Sequence, residues 1–339
     1  MRFGPVSLDQ ALNAISAHSI RVADRAIKKG ARLSEDDLAA LRGEGHEYVI
    51  VAQLETDDID EDHAAQALAQ KLCGSSIRID HPSTGRVNLF AQSTGLLRVD
   101  ASRINALNAI DESVTFATLP DYRSVERGEM IATVKIIPFA VAKSVMDKAE
   151  AVIGTTPLVS IHPFKPRKVA AISTVLPGLK PSVINKTLAV LEGRLAPSGS
   201  IVDNDIRVGH DVTEVTKAIT SSLHDGADLI IIYGASAITD RRDIIPSAIE
   251  NAGGHIDHFG MPVDPGNLLL IGSVRGKTII GAPGCARSPK ENGFDWVLQR
   301  IMADIPVTRA DITALGVGGL LMEIIQRGHP RDPAGVPTE

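Results

Sequence analysis

The sequence predicts an α/β fold whose C-terminal half is a mostly parallel sheet between two layers of helices, a three-layer α/β/α arrangement. Two observations support this prediction. From residue 169 onward, short apolar segments alternate with segments whose apolar residues follow helical spacing. In addition, Leu229–Tyr233 is apolar throughout, which is typical of a strand buried on both faces of a parallel sheet. Sheets of this kind bind ligands beyond the carboxyl ends of their strands.

Each element of this half has its own signal in the sequence. Helix 181–195 carries Leu188, Leu191 and Leu195 along one side, and helix 243–252 places isoleucines at helical spacing. The predicted strands are 169–175, 200–208, 229–233, 255–259, 268–271 and 278–280. The predicted helices are 181–195, 211–223, 243–252 and 289–302.

The N-terminal half is less regular and is expected to form two smaller domains. Residues 1–75 mix short helices and strands, with a helix over 8–16 that Ser7 can cap. Residues 76–155 contain short apolar stretches punctuated by glycines, which predicts a strand-rich unit. The expected domains are therefore an α+β segment at 1–75, a β-rich domain at 76–155 and the α/β domain at 165–305, followed by a partly disordered tail, 306–339.

Composition argues against two classes of partner. The 339 residues are 44% hydrophobic and 22% charged, and their formal net charge of -6 argues against binding to nucleic acid. No apolar run approaches the roughly 20 residues that span a bilayer, and the N-terminus lacks the apolar core of a signal peptide. Cys73 and Cys285 lie far apart in unlike contexts, which suits a reducing compartment. We therefore expect a cytoplasmic protein without a nucleic-acid or membrane partner.

The stretch 227–252 carries the strongest functional signal. A buried strand leads to Gly234, Ala235 and Ser236, whose small side chains allow a ligand to approach the backbone, and a helix then begins near Asp243. Free backbone N–H groups and the positive end of the helix dipole meet at such a helix start. The stretch therefore predicts an anion site.

Two further turns follow strands of the same sheet. The turn 174–182 brings Lys180 and Ser182 to a helix start, and Pro283 and Gly284 force a tight turn within 281–290. That second turn also carries basic and hydroxyl side chains. Small residues, helix N-termini and basic side chains that meet at one sheet edge describe a pocket for a phosphorylated, polar ligand.

Plainer roles stay open for several of these residues. Asp243 is also a natural helix cap, Arg242 is also an ordinary surface residue, and 281–284 is also an ordinary turn. Cys285 has no histidine nearby in the sequence and is interpreted as a small buried thiol rather than a nucleophile.

Residues 165–305 resemble the molybdopterin-binding fold shared by molybdopterin adenylyltransferases and molybdopterin molybdotransferases. In the segment ADLIIIYGASAITDRRDIIPSA, 227–248, a strand leads to a small-residue turn and then to Arg-Asp-x-x-Pro-x-Ala at 242–248. Pro283 and Gly284 resemble the family's second turn. The segment KKGARLSEDDLAALRGEGHEYVIVA, 28–52, resembles the leading part of molybdotransferases. The chain looks most like the molybdopterin-binding half of bacterial fusions with a cytidylyltransferase-like domain.

The resemblance implies molybdopterin as the ligand or substrate, with molybdate and Mg²⁺ in the insertion reaction. By this analogy Asp240 and Asp243 are catalytic, and Asp243 is the metal ligand. The basic residues Arg242, Arg287 and Lys290 hold phosphate or molybdate, and 234–236 lines the pterin. The implied cofactor-binding residues are Thr174, Lys180, Ser182, Gly234, Ala235, Ser236, Arg242, Pro283, Gly284, Cys285, Arg287, Ser288 and Lys290.

Two departures from the family pattern make a non-catalytic role credible, and a third function stays open because pyridine-nucleotide amidases share this fold in one of their domains. Ala235 replaces the family's second glycine, and Cys285 stands where molybdotransferases usually carry asparagine. The chain is therefore expected to be an enzyme that inserts molybdate into adenylylated molybdopterin, a non-catalytic molybdopterin carrier or sensor, or a nucleotide hydrolase of the same fold. The resemblance also implies a homodimer and a separate cytidylyltransferase-like protein as a partner.

Overall fold

A computed structural model describes residues 1–22 and 25–321. The chain divides into two compact units, Met1–Pro163 and Phe164–Glu339. The fold is α/β, with several small sheets in the first unit and one larger mixed sheet in the second. The disorder predicted for the tail lies, from residue 322 onward, outside the described residues.

The first unit combines short strands with four helices in its described part. Its strands are β1 (Arg2–Ser7), β2 (Ile15–Ser16), β3 (Ile20–Val22), β4 (Arg25–Ile27), β5 (Tyr48–Gln53), β6 (Asp58–Asp60), β7 (Ile77–Ile79), β8 (Arg86–Ala91), β9 (Gly95–Val99), β10 (Val114–Thr118), β11 (Ser124–Val125), β12 (Met130–Ile136), β13 (Ala140–Ala142) and β14 (Val159–Pro163). Its helices are α1 (Glu35–Gly43), α2 (Glu61–Leu72), α3 (Ala101–Asn108) and α4 (Lys143–Ile153). In the described part of this unit, the sheets of three or more strands have the orders β1-β5-β2, β10-β12-β8-β7 and β11-β9-β14.

The helix predicted over 8–16 is wrong. A short 3-10 helix, Leu8–Gln10, is followed by Asn13 in the left-handed region, with φ 62°, and then by strand β2. The amide of Asn13 donates to the Leu33 carbonyl and the amide of Ser16 donates to the Ala31 carbonyl, both at 2.9 Å. Hydrogen bonds to a distant segment therefore replace the hydrogen bonds that a helix would make within itself.

The second unit alternates strands and helices, as the sequence predicts. Its strands are β15 (Lys168–Val175), β16 (Ile201–Gly209), β17 (Leu229–Tyr233), β18 (His255–Phe259), β19 (Leu270–Val274) and β20 (Lys277–Ala282). Its helices are α5 (Pro181–Leu195), α6 (Val212–His224), α7 (Ile244–Asn251), α8 (Gly293–Met302) and α9 (Arg309–Thr313). The strand order is β16-β15-β17-β20-β19-β18, and the strands β16, β15, β17 and β20 run parallel.

Strand β17 is fully buried, and alternate side chains belong to different apolar clusters because successive residues of a strand point to opposite faces. Leu229, Ile231 and Tyr233 lie in one cluster with residues of α5 and α8. Ile230 and Ile232 lie in the other cluster with residues of α6 and α7. Burial on both faces explains why this segment is apolar at every position.

Among the helices of the described ranges, none has the length and apolar composition that a bilayer crossing requires.

Candidate functional site

The parallel strands β15, β16, β17 and β20 end at one edge of the large sheet, here named the carboxyl edge. Val175 of β15 lies beside Gly209 of β16. Tyr233 of β17 lies between Ser173 of β15 and Ala282 of β20. The segments that leave these strands therefore start side by side, and they are 176–180, 210–211, 234–243 and 283–292. Every predicted site residue lies on one of these segments or within two residues of it.

His210, which the sequence reasoning missed, connects the end of β15 to the segment after β17. Its Nδ1 lies 2.9 Å from Oγ1 of Thr174, and its Nε2 lies 3.0 Å from Oγ of Ser236. The amide of Ala235 donates to the same Thr174 oxygen at 2.7 Å. The structure thus brings together Thr174, Ala235 and Ser236 from the predicted set. The signal for His210 was its position directly after a strand of the parallel sheet.

Arg287 supplies the main positive charge that reaches inward at this edge. It lies in a 3-10 helix, Gly284–Arg287, and its guanidinium donates to the Gly234 carbonyl at 2.8 Å and to the Thr187 hydroxyl at 3.1 Å. The guanidinium carbon is 5.4 Å from the centre of the buried Tyr233 ring, within the range of a cation–π contact. Partial burial lowers the pKa of Arg287, since a desolvated cation is disfavoured.

The charge on Arg287 has no carboxylate partner among residues 1–22 and 25–321. Both of its hydrogen-bond acceptors are neutral oxygens. A half-buried cation without a counterion favours an anion beside it, because the anion offsets part of the desolvation cost.

Arg194, another residue that the sequence reasoning missed, holds the Arg287 segment in place. Its guanidinium donates to the carbonyls of Ala286 and Ser288, both at 2.7 Å, and pairs with Asp295 at 2.5 Å. The side chains of this ion pair are only 9% and 11% exposed. The buried pair therefore ties α5, the segment after β20 and the start of α8 to one another.

Cys285 lies in the same segment and is not arranged as a nucleophile. Its Sγ lies 3.6 Å from Oδ1 of Asn292, the cap of α8, whose amide nitrogen donates to the Cys285 carbonyl at 3.3 Å. Burial raises the pKa of the Cys285 thiol, which keeps it protonated at neutral pH. Pro283 and Gly284 shape the turn that leads to this position.

Of the remaining basic and hydroxyl residues near these turns, Lys180, Ser182 and Lys290 are exposed and Ser288 is half-buried. Lys180 is the N-cap residue of α5, Ser182 lies in its first turn, and the backbone amide of Lys290 donates to Oγ of Ser288 at 3.3 Å. Within the described ranges, neither lysine forms an ion pair with a carboxylate. Their charges are thus available to a ligand, although no contact places them against Arg287 or His210.

Arg242 and Asp240 contact each other rather than the rest of the site. Their side chains pair at 2.8 Å, and the Arg242 side chain is 91% exposed. The hydrogen bond from Arg242 lowers the pKa of Asp240, and the same interaction raises the pKa of Arg242. The pair is therefore an exposed surface interaction on the loop before α7.

Asp243 is the N-cap of α7. Its Oδ1 accepts the amide of Ile244 at 2.7 Å and its Oδ2 accepts the amide of Thr239 at 3.2 Å. No group of three or more His, Cys, Asp or Glu side chains suited to a metal ion occurs in the described part of the chain. Both oxygens of Asp243 accept backbone amides and Asp240 pairs with Arg242, so each carboxylate has fewer lone pairs left for a Mg²⁺ ion than a free carboxylate would.

Substitutions of Asp243 distinguish the contribution of its helix cap from the contribution of its negative charge. We expect Asp243→Ala to lower the free energy of unfolding by about 1 kcal/mol, the usual cost of a lost cap, and Asp243→Asn to lower it by less, since asparagine also caps helices. Urea denaturation followed by circular dichroism measures both variants. Equal destabilisation by the two substitutions would show that the charge, rather than the cap, matters at this position.

The opposite edge of the sheet borders a cavity of about 480 Å³, here named the amino-end cavity. Its two basic side chains form ion pairs within the protein, although Nε of Arg167 is buried without a hydrogen-bond partner in the described part of the chain. Lys277 pairs with Asp228 at 2.9 Å, and Arg167 pairs with Asp304. Because these positive charges already pair with carboxylates, the amino-end cavity has less unpaired positive charge for an anionic ligand than the carboxyl edge has. Its lining includes Arg167, Asp228, Asp257, Lys277, Thr278 and Asp304.

Comparisons with known proteins add little to this geometry. A family model described as a domain of unknown function (DUF8806) matches residues 5–53, and no curated protein matches the chain. The molybdopterin biosynthesis protein MoeA of Pyrococcus horikosii is 15% identical, covers 89% of this chain and 75% of its own, and gives a TM-score of 0.31. NadC of Streptococcus pyogenes is 12% identical, covers 48% of this chain and 76% of its own, and gives a TM-score of 0.15. At these values neither likeness bears on function.

Proposed function

We propose that the second unit binds a phosphorylated pterin of the molybdopterin class at the carboxyl edge, in the service of molybdenum cofactor assembly. The observation that carries this proposal is the half-buried guanidinium of Arg287, which lies at the ends of the parallel strands without a carboxylate partner. The pterin part of the proposal rests on the sequence resemblance of 227–248 and 283–288.

The neighbouring groups suit the phosphate of such a ligand. Arg287 provides a charged, forked donor, which is the geometry that binds phosphate best. The exposed lysines, Lys180 and Lys290, add positive charge around it and attract an anion through solvent. Arg287 and Lys290 lie on the segment between β20 and α8, and Lys180 lies on the segment between β15 and α5.

The turn 234–236 suits the flat ring of the ligand. Gly234 and Ala235 are half-buried and Ser236 is exposed, so small side chains and backbone border the space above the end of β17. The proposal gives this turn the role of contacting the pterin, as the resemblance implies. Ala235 carries a methyl group where the family pattern has a glycine. This methyl group reduces the space above the end of β17 that is left for the pterin.

Binding without catalysis is the form of the proposal that the site supports best. The two carboxylates implied as catalytic, Asp240 and Asp243, are engaged by Arg242 and by backbone amides. We therefore place no reaction step on them, and the carrier or sensor function has priority over molybdate insertion. The homodimer and the cytidylyltransferase-like partner stay proposals that follow from the resemblance.

The bound ligand tests the proposal. The full chain is purified without a chelating step and examined by native mass spectrometry, and the released small molecules are identified. Retention of a pterin phosphate supports the proposal. Retention of a nucleotide instead, or the absence of any ligand together with no binding of added hydroxymethylpterin phosphate, overturns it.

A turnover assay distinguishes a carrier or sensor from an enzyme that inserts molybdate. The chain is incubated with adenylylated molybdopterin, molybdate and Mg²⁺, and nucleotide release is followed over time. Binding without nucleotide release is the result expected of a carrier. Release of the nucleotide together with a molybdenum-containing pterin would show an enzyme and would contradict the assignment of Asp240 and Asp243 to structural contacts.

A further inference from the structure

The hydrogen bonds around His210 form a series in which each group donates a proton to the next. Oγ1 of Thr174 accepts the amide proton of Ala235 at 2.7 Å. Thr174 is 1% exposed, and in the described ranges its hydroxyl proton has one acceptor within reach, Nδ1 of His210 at 2.9 Å. A hydroxyl carries one proton, so Thr174 donates it to the ring and receives the amide proton through a lone pair.

This arrangement assigns the tautomer of the imidazole. Because Nδ1 of His210 accepts a proton from Thr174, the proton of the neutral ring lies on Nε2. Nε2 is 3.0 Å from Oγ of Ser236, so the ring donates to that oxygen. The hydroxyl proton of Ser236 is then left over, on a side chain that is exposed at the carboxyl edge.

We infer that His210 is a positioning residue that fixes Ser236 as a hydrogen-bond donor to a phosphate oxygen of the ligand. The chain of donors runs from the amide of Ala235 through the buried Thr174 and the half-buried His210 to Ser236, its most exposed member. An oxygen that carries lone pairs and no proton completes the chain, and a phosphate oxygen is such an acceptor. The inference rests on the proposed function, because it names the group that the ligand presents to Ser236.

The same geometry argues against a serine nucleophile at this position. A histidine that activates a serine must accept the serine proton at its free ring nitrogen. Here the nitrogen that faces Ser236 carries the proton, and Thr174 stabilises that state. Ser236 is thus a binding residue, although serine and histidine lie within hydrogen-bond distance of each other.

The tautomer can be measured without any ligand. The full chain is labelled with ¹⁵N-histidine, and long-range proton–nitrogen correlation spectra at neutral pH report which ring nitrogen carries the proton; His210→Gln identifies the signal by its loss. A proton on Nε2 is expected. A proton on Nδ1 would overturn the inference even if the protein binds a pterin phosphate.

Binding tests the role of Ser236. Calorimetric titration with hydroxymethylpterin phosphate should show roughly 10-fold weaker binding for Ser236→Ala, the cost expected for a hydrogen bond to a charged group. Binding of hydroxymethylpterin without phosphate should change little. The control Thr213→Ala removes an exposed hydroxyl from the first turn of α6 and should bind as the parent chain does.

Substitutions of Thr174 test whether the His210 imidazole connects Thr174 to Ser236. Thr174→Val removes the donor to Nδ1 and should weaken phosphate-dependent binding to the level of Ser236→Ala, while Thr174→Ser should restore it. Unchanged binding in both Ser236→Ala and Thr174→Val would overturn the inference, and so would labelling of Ser236 by a fluorophosphonate probe. If the parent chain itself binds no pterin phosphate, the proposed function fails, and the ring tautomer still decides the role of His210.

Discussion

Arg287→Ala is expected to weaken the binding of hydroxymethylpterin phosphate by roughly 10- to 100-fold, because hydrogen bonds to charged groups contribute about 1.5–3 kcal/mol. Arg287→Lys keeps the charge but loses the forked donor, so its affinity should fall between those of the alanine variant and the parent chain. Calorimetric titration at fixed ionic strength measures all three proteins.

The matched control for this prediction is Arg275→Ala. Arg275 lies in the turn between β19 and β20, at the end of β20 opposite the carboxyl edge, and its loss changes the net charge by the same amount. It should leave the affinity nearly unchanged. Because Arg287 also bonds to Gly234 and Thr187, the urea midpoint of each variant must be recorded. Equal losses of affinity in the two alanine variants would mean that only net charge matters.

The second large effect is expected at the buried ion pair behind the site. Arg194→Met should lower the free energy of unfolding of the second unit by about 3–5 kcal/mol, because it leaves the Asp295 carboxylate buried without its partner. It also removes the donors to the carbonyls of Ala286 and Ser288, so the segment that carries Arg287 loses its support.

The single tryptophan of the chain reports this change directly. Trp296 lies in α8, next to Asp295 in sequence, and its fluorescence follows unfolding of that region in urea. The exposed pair of Arg207 and Asp205 provides the control, and Arg207→Ala should shift the midpoint little, as is usual for surface ion pairs. Arg194→Met with the parent midpoint would show that the buried pair contributes nothing to stability.

Much of the second unit could be predicted because its signals are local. Strand β17 is apolar at each position, and the predicted segment 229–233 is the observed strand. The last large helix begins at Gly293 rather than at 289, because Asn292 and Asp295 form a capping box. That pattern of residues was present in the sequence, and it placed the true start four residues later.

The parts that could not be predicted depend on contacts between distant residues. His210 and Thr174 are 36 positions apart, and Arg194 and Asp295 are 101 positions apart, so only the folded chain shows that they pair. The helix wrongly expected over 8–16 has the same cause, since hydrogen bonds to 31–33 decide the local conformation. Rules for the ends of parallel strands located the carboxyl edge, but they did not say which side chains meet there.

A crystal structure of the full chain with hydroxymethylpterin phosphate tests the central proposal most directly. The predicted result is a phosphate within hydrogen-bond distance of the Arg287 guanidinium and the Ser236 hydroxyl, with the pterin ring beside 234–236. A phosphate bound instead in the amino-end cavity, beside Arg167 and Lys277, would contradict the assignment of the ligand site to the carboxyl edge.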